Sequence, residues 1–307
     1  MTRMKKRKWV FVVGSFLCRL PPWPTRSIIR VNLDWLNYLK VSILNLRFLS
    51  FRVTLLRGTF YWLTDDWSNN YFHWTFDVLT KISQADPAQG VSVIVPESLA
   101  SKYAFVNESL LSLGFQVIPL KRGRIYLVEE AFTSPMQRYF SKEGLTRLKN
   151  RVFHSAEVVK RSDPSRKRIF ISRKLAARRK LVNEYELLDV LKPYGFVSYD
   201  LERLSWPEQV ALFRNAEAIV GMHGAGLTNM IYAQSACLVV ELRPEGLKNN
   251  LFRLLAQNMG IHYRQVSLQS ENTDFHGPSF FVDTDRLTAI ENFLPQYLDV
   301  GTQPVSR

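Results

Sequence analysis

Short apolar runs alternate with polar stretches of helical spacing along the second half of the chain. The apolar runs predict buried strands at residues 168–172, 196–199, 218–220 and 238–242. Between and after them, apolar residues recur every three or four positions and predict helices at residues 184–191, 206–215, 227–233, 249–260 and 287–298. Strands that alternate with helices are typical of a parallel sheet covered by helices.

The same alternation is present, less regularly, in the first half of the chain. It predicts strands at residues 91–96, 115–120 and 125–132, and helices at residues 70–83, 97–113 and 142–160. A polar segment that contains Pro164, residues 161–166, separates the two halves. We therefore expect an α/β fold with two Rossmann-like lobes, residues 61–163 and residues 164–307, and a cleft between them.

Residues 218–233 contain the most informative motif: an apolar run, then Gly221, Gly224 and Gly226, and then apolar residues at helical spacing. This order predicts a buried strand, a tight turn and the N-terminus of a helix. Backbone N–H groups at such a turn bind anions, and glycines let a diphosphate come close to the backbone. The spacing differs from the dinucleotide-binding and P-loop motifs. A turn that only allows close backbone packing is therefore an equal alternative to a phosphate-binding turn.

Positive charge is concentrated near the N-terminus. Residues 1–60 contain twelve Lys and Arg residues and one acid, and so carry +11 of the net charge of +14. This local excess argues against a nucleic-acid-binding protein. Interleaved aromatic residues favour an anionic membrane surface as the partner, and a solvated arm or a contact with another partner is the alternative. The apolar run at residues 9–18 is too short to span a bilayer and is interpreted as a buried or interfacial segment.

Cysteine is rare in this sequence. Cys18 and Cys237 are the only two cysteines, so a disulfide framework and a cysteine-rich zinc site are excluded. This usage is typical of a reducing compartment. We expect a cytoplasmic protein whose basic region, residues 1–60, associates peripherally with the inner face of the membrane.

Three stretches of the chain resemble glycosyltransferase family 61, a group long described as a domain of unknown function. The first stretch is NYFHWTFD at residues 70–77. The second joins ISRK at residues 171–174 to RKLVNE at residues 179–184. The third combines LSWPEQV, GMHGAGLTN and VVEL, which begin at residues 204, 221 and 239. The resemblance keeps the family's order over about residues 68–245, and the first sixty residues lie outside it.

The resemblance implies transfer of a sugar from a nucleotide sugar to an acceptor, with inversion at the anomeric carbon. It also implies a two-lobed fold of the GT-B type, no required metal or other cofactor, and a role in capsular or other polysaccharide biosynthesis. We therefore predict an enzyme with a UDP-linked sugar as donor and a glycan or lipid-linked glycan as acceptor. A non-catalytic nucleotide- or glycan-binding module on the same fold is the alternative.

His73 and Asp77 are the candidate catalytic residues. They are four positions apart in a predicted helix and therefore share one face. Inverting transfer requires a general base that takes the proton of the acceptor hydroxyl. Either residue could be that base while the other orients it or binds the acceptor. The alternative is a structural pair in which the two side chains satisfy each other.

The candidate donor-binding residues come from the second half of the chain. Arg173 and Arg179 match the family pattern, and guanidinium groups suit the oxygens of a diphosphate. Glu241 ends a predicted strand, where a carboxylate could accept from ribose hydroxyls or pair with Arg243. Asn183 could cap a helix or contact the ligand. The remaining candidates lie in the glycine-rich turn: Gly221, His223, Gly224, Ala225, Gly226 and Asn229.

A competing motif for a metal lies near the C-terminus. Asp283 and Asp285 form a D-x-D pair, which binds a divalent metal in the other large glycosyltransferase fold. Here the pair directly precedes a predicted helix, so the simpler interpretation is a helix cap. We therefore assign no metal ligands.

Overall fold

The computed structural model describes residues 4–13, 16–19, 53–133, 141–269 and 279–299. The part of the basic N-terminal region at residues 20–52 lies outside the described residues. Within the described part, the chain forms two large sheets and a two-stranded ribbon, with helices between the strands. The predicted α/β class is confirmed.

The first sheet has six strands in the order β2-β1-β6-β3-β4-β5. Strands β2, β1 and β6 are antiparallel, and β6, β3, β4 and β5 are parallel. The bounds are Lys5–Val13, Phe16–Arg19, Val53–Trp62, Ser92–Pro96, Val117–Leu120 and Ile125–Thr133 for β1 to β6. The sheet is therefore mixed rather than largely parallel.

Strands β1 and β3 come from the region that the sequence sets apart as a basic N-terminal segment. Lys6 in β1 pairs with Glu130 in β6, Nζ to Oε2, at 2.6 Å. The boundary expected after residue 60 falls inside β3. The apolar run at residues 9–18 contributes to β1 and β2. These segments thus belong to the first sheet, because β1 and β3 pair with β6 and β2 pairs with β1. The division into domains stays a prediction.

The second sheet is entirely parallel, with the order β12-β11-β10-β7-β9. Its strands are Lys167–Ile171 (β7), Phe196–Tyr199 (β9), Ala216–Met222 (β10), Leu238–Pro244 (β11) and His262–Leu268 (β12). A short ribbon pairs β8, Lys180–Leu181, with β13, Ser279–Phe280. The first strand in chain order, β7, lies between the second and the third. Sheets of this kind bind ligands where the strand order reverses, here at the carboxyl ends of β7 and β10.

The helices cover both sheets. Helix α1 comprises Tyr71–His73, a π-helical segment Trp74–Leu79 and Thr80–Ile82. The others are Glu97–Lys102 (α2), Ala104–Ser112 (α3), Lys142–Phe153 (α4), Ala156–Val159 (α5), Glu184–Leu191 (α6), Trp206–Arg214 (α7), Leu251–Met259 (α8) and Thr284–Phe293 (α9). None of the described helices is long and apolar enough to cross a membrane.

One buried cluster connects the helices of the first sheet to the second sheet. Trp74 of α1, Leu110 of α3 and Trp206 of α7 belong to it, together with Ile219 of β10. The carboxylate of Glu108 in α3 accepts from the backbone N–H of Trp206 at 2.6 Å, across the two parts. The arrangement into two lobes with a cleft between them stays a prediction.

Helix ends follow local sequence signals. Ser205 and Glu208 form a capping box at the start of α7. Asp283 caps α9, because its side chain accepts from the backbone N–H of Arg286 at 2.9 Å. The segment after the glycine-rich turn is a 3₁₀ helix, Ala225–Tyr232, rather than an α-helix.

Candidate active site

Two arginines and one glycine meet at the carboxyl edge of the second sheet. Arg173 follows β7 and Gly224 follows β10. A Cβ atom placed on Gly224 would lie 2.7 Å from Nη1 of Arg173 and 3.6 Å from Nη2 of Arg179. The three predicted donor-binding residues are therefore brought together, at the point where the strand order of the sheet reverses.

The loop itself holds the guanidinium group of Arg173 in place. Arg173 donates from Nε to the carbonyl of Arg179 at 3.0 Å and from Nη2 to the carbonyl of Arg178 at 2.6 Å. Arg179 has a left-handed backbone, φ 56°, which is uncommon outside glycine and often marks a functional loop. Its Nε is buried and has no hydrogen-bond partner within the described part of the chain.

The two cations lack a direct counter-ion. Among the described residues, neither Arg173 nor Arg179 forms an ion pair with an acid. Burial lowers the pKa of the Arg173 guanidinium, and the neighbouring Arg179 lowers it further. Two crowded, partly buried cations and an unpaired donor form an arrangement that an anion would stabilise.

The three glycines of the turn have different surroundings. A Cβ on Gly221 would lie 3.1 Å from Cβ of Ile171, and one on Gly226 would lie 3.3 Å from Ile171 and from Leu201. These two glycines therefore allow the turn to pack against the core. Of these three glycines, only Gly224 faces the arginines. The structural interpretation of the turn therefore fits Gly221 and Gly226, and the anion-binding interpretation fits Gly224.

His223 is held by a buried carboxylate. Its Nδ1 is hydrogen-bonded to Oε1 of Glu241, and Tyr263 in β12 donates to Oε2 of the same carboxylate. Arg243 Nη1 lies 3.9 Å from Oε2. Glu241 is 0% exposed, because β11 is an interior strand of the sheet. Both of its oxygens are thus occupied, and a contact with ribose hydroxyls, as the sequence suggested, is not what the structure presents.

Asn183 and Asn229 also bind protein groups rather than facing open space. Asn183 exchanges two hydrogen bonds with the backbone of Val282, at 2.8 and 3.0 Å. It occupies the N-cap position of α6, as one of the two sequence interpretations expected, but its side chain makes no cap hydrogen bond. Asn229 accepts from the hydroxyl of Tyr71 at 2.6 Å and donates to Gln209 at 2.9 Å. It connects α1 to α7.

His73 and Asp77 form the predicted pair on α1. Nδ1 of His73 lies 3.0 Å from Oδ2 of Asp77. The pair lies at the π-helical segment, a feature that is frequent at functional sites. Asp77 is 5% exposed, and burial raises the pKa of its carboxyl group although the bond to His73 opposes the shift. Burial also lowers the pKa of the neighbouring Lys81.

Phe252 of α8 connects the two groups of candidates. Its ring lies 6.0 Å from that of Phe72, next to His73 in the chain, and 5.2 Å from that of His223. Sequence reasoning missed Phe252, because an aromatic residue on the apolar face of a helix has no distinctive signal. It also missed Tyr263, whose role depends on the pairing of β12 with β11.

A cavity of about 750 Å³ opens beside the glycine-rich turn. Residues 102–108 form one side of it, the segment 201–209 forms another, and Ala225 and Gly226 close the end at the turn. Its wall includes the rings of Tyr71, Tyr103 and Phe105 and the carboxylate of Glu202. This volume is in the range of small-molecule sites. The candidate base residues His73 and Asp77 do not line it.

The competing metal motif has a structural role. Besides capping α9, Asp283 forms an ion pair with Arg286. Within the described ranges, no group of three His, Cys, Asp or Glu side chains is arranged to hold a metal ion.

Replacing Gly224 with alanine is expected to weaken anion binding without unfolding the protein. Gly224 has an extended backbone, φ 169°, so alanine fits the conformation. The new Cβ would displace the flexible end of Arg173. We expect the Kd for inorganic pyrophosphate to rise about tenfold, which corresponds to about 1.4 kcal/mol. The melting temperature should stay unchanged, and an unchanged Kd would contradict this placement of the anion.

The sequence profile described as Glycosyltransferase 61 matches residues 71–240, more than half of the chain. The match runs from the start of α1 to the middle of β11. It therefore includes both groups of candidate residues, apart from Glu241.

Three curated relatives are similar to parts of this chain. An EGF domain-specific O-linked N-acetylglucosamine transferase from Drosophila melanogaster is 28% identical over 137 residues, covering 43% of this chain and 26% of that protein. A protein of the same name from Bos taurus is 26% identical over 156 residues, covering 48% of this chain and 28% of that protein. A beta-1,2-xylosyltransferase from Oryza sativa subsp. japonica is 31% identical over 110 residues, covering 34% and 19%. The matched regions thus span about a quarter of each relative or less.

Proposed function

The chain belongs to glycosyltransferase family 61, and we propose that it transfers a sugar from a nucleotide sugar, UDP-linked, to a glycan acceptor with inversion. The observation that carries the proposal is the meeting of Arg173, Arg179 and Gly224 at the switch point of the second sheet. A half-buried pair of unpaired cations beside a glycine backbone is suited to a diphosphate.

The donor would lie along the carboxyl edge of the second sheet. The diphosphate would bind Arg173 and Arg179 at Gly224. The aromatic cavity that begins at Gly226 would take the nucleoside, since flat rings and a carboxylate suit a base and a ribose diol. The cavity lacks the candidate base residues, and this supports its assignment to the unreactive end of the donor.

The proposed reaction is a single displacement. The acceptor oxygen forms a bond to the anomeric carbon while the bond from that carbon to the diphosphate breaks. The electron pair goes to the diphosphate oxygen, where Arg173, Arg179 and His223 stabilise the charge. The proton of the acceptor hydroxyl goes to the His73–Asp77 pair. Because these side chains supply both the charge and the base, we propose that no metal is required.

The wider setting is also a proposal. A GT-B arrangement would place α1 and its base on the acceptor lobe, residues 61–163, and the donor on the other lobe, residues 164–307. The excess of positive charge in residues 1–60 supports contact with an anionic membrane on its cytoplasmic face. Lipid-linked glycans in the synthesis of a capsule or another polysaccharide are the acceptors that would be available there.

Calorimetric titration with nucleoside diphosphates tests the donor site. UDP is expected to bind more tightly than GDP, CDP or ADP, and equally well with magnesium and with EDTA. Arg179→Ala should raise the Kd for UDP about 10- to 100-fold, since hydrogen bonds to charged groups contribute about 1.5–3 kcal/mol. The matched control is Arg178→Ala, because Arg178 is exposed and adjacent. If no nucleotide binds, or if both variants behave alike, the proposed donor site is wrong.

A further inference from the structure

A rigid turn between β3 and α1 carries an exposed tryptophan beside the candidate base. Asp65 Oδ1 accepts from the backbone N–H of Trp67 at 3.0 Å and from the hydroxyl of Ser68 at 2.9 Å. The same hydroxyl accepts from the backbone N–H of Asp65 at 2.9 Å. The backbone N–H of Asn70 bonds to the carbonyl of Trp67 at 2.9 Å. These bonds fix the backbone on both sides of the tryptophan.

The side chain of Trp67 is 57% exposed although the turn that holds it is well ordered by hydrogen bonds. Its ring centroid lies 5.5 Å from the ring of His73, with 41° between the planes. His73 in turn contacts Asp77. The largest apolar side chain on this turn is therefore exposed to solvent. Its ring lies next to His73, a member of the pair that would take the proton of the acceptor.

The chemistry of this surface fits a sugar ring. One face of a pyranose presents C–H groups that are apolar and slightly positive, and the face of an indole ring carries negative potential. Stacking a pyranose on Trp67 would remove apolar area of both from water. Asp66 and Asn69 are exposed on the same turn and offer a carboxylate and an amide to the hydroxyl groups at the rim of the sugar.

We propose that Trp67 is the stacking platform that binds the sugar ring of the glycan acceptor. A sugar stacked there would present a hydroxyl group to the His73–Asp77 pair. The inference rests on the proposed function, which supplies the donor and the direction of transfer.

The test compares Trp67→Ala and Trp67→Phe with a matched control, Tyr185→Ala. Tyr185 is 66% exposed and lies on α6 in the second half of the chain. The measurement is donor turnover with a panel of methyl pyranosides and disaccharides as acceptors, and with a folded EGF-like domain as the protein acceptor. The Kd for UDP is measured for every variant, since it reports on the donor site alone.

Wild-type protein is expected to transfer the donor sugar to pyranoside acceptors. Trp67→Ala should raise the acceptor KM about tenfold or more, because the apolar face of the sugar would lose the indole surface that removes it from water. Its Kd for UDP should stay within twofold, Trp67→Phe should recover part of the loss, and Tyr185→Ala should behave as wild type. Transfer only to the protein domain, no acceleration by any pyranoside, or an unchanged KM in Trp67→Ala would overturn the inference. If the proposed function itself is wrong, wild-type protein will not bind UDP, and this result distinguishes that failure from failure of the inference about Trp67.

Discussion

Replacing Asp77 with asparagine is expected to lower kcat by about 10²- to 10⁴-fold, the range that positioned proton transfer contributes. The substitution keeps the size of the side chain and removes the carboxylate that lies 3.0 Å from His73. If Asp77 takes the proton, the variant loses the base. If His73 takes the proton, the variant loses the carboxylate that orients the ring and stabilises its charge. The Kd for UDP should remain within twofold, because the proposed diphosphate site lies on the second sheet.

The pH dependence of turnover follows from the same carboxylate. Burial raises the pKa of Asp77, so its charged form is lost at a higher pH than for an exposed aspartate. Protonation removes the base, so kcat/KM should fall as the pH falls through this raised pKa. The acid limb of the profile should therefore lie above the ordinary aspartate range, and Asp77→Asn should remove or move it.

Asp285→Asn is the matched control for this prediction. Asp285 is exposed and belongs to the competing D-x-D motif, so the variant tests that motif at the same time. We expect unchanged turnover. If instead Asp77→Asn and His73→Ala both keep full turnover, the base assignment is wrong. A large loss in Asp285→Asn would revive the metal site.

Replacing Glu241 with glutamine is expected to lower kcat by about 10²- to 10⁴-fold, as loss of a carboxylate behind a catalytic histidine does in hydrolases. The carboxylate accepts from Nδ1 of His223 and so fixes the hydrogen on that nitrogen. An amide could donate to Nδ1 and reverse the tautomer. His223 would then stabilise the departing diphosphate poorly.

A double-mutant cycle separates positioning from simple loss of stability. If Glu241 acts through His223, then Glu241→Gln combined with His223→Ala should be no slower than His223→Ala alone. Tyr263→Phe removes one hydrogen bond to the same carboxylate and should cost only about three- to tenfold, in keeping with a bond of about 1 kcal/mol. Additive losses in the cycle, or full turnover in Glu241→Gln, would contradict the positioning role.

The sequence predicts four of the five strands of the second sheet, because interior strands such as β10 and β11 are buried along almost their whole length. It misses β12, an edge strand whose residues are mostly exposed or half-buried. Continuous apolar runs mark β10 and β11, and all the carboxyl ends of a parallel sheet lie on one edge. That rule alone places Arg173 near the glycine-rich turn. The pairing of His73 with Asp77 is equally local, since residues four positions apart in a helix are neighbours.

The first sheet is harder to predict, because its pairing is long-range. Strand β1 pairs with β6 more than a hundred residues away, and its basic residues conceal its apolar face. Strand β3 carries a register shift between Leu56 and Thr59, where Gly58 has φ 103°. Such a bulge breaks the alternation that identifies a strand.

The role of a polar residue depends on the side chains to which it is hydrogen-bonded, and a sequence motif does not identify those side chains. Glu241 matches the family pattern, and its function as the support of His223 depends on complete burial and on Tyr263 from the next strand. Asn229 also matches, but its amide is used between Tyr71 and Gln209. A motif therefore identifies which residues matter here, and the packing around them decides what each one does.

Turnover of nucleotide sugars tests the central claim most directly. Wild-type protein is mixed with a panel of UDP-, GDP- and CDP-linked sugars and pyranoside acceptors. Released nucleotide is quantified, and the anomeric configuration of the product is read by proton NMR. We predict release of UDP, a product of inverted configuration, and loss of both signals in Arg179→Ala but not in Arg178→Ala. No release of nucleotide from any donor, or release that is the same in both variants, would contradict the account.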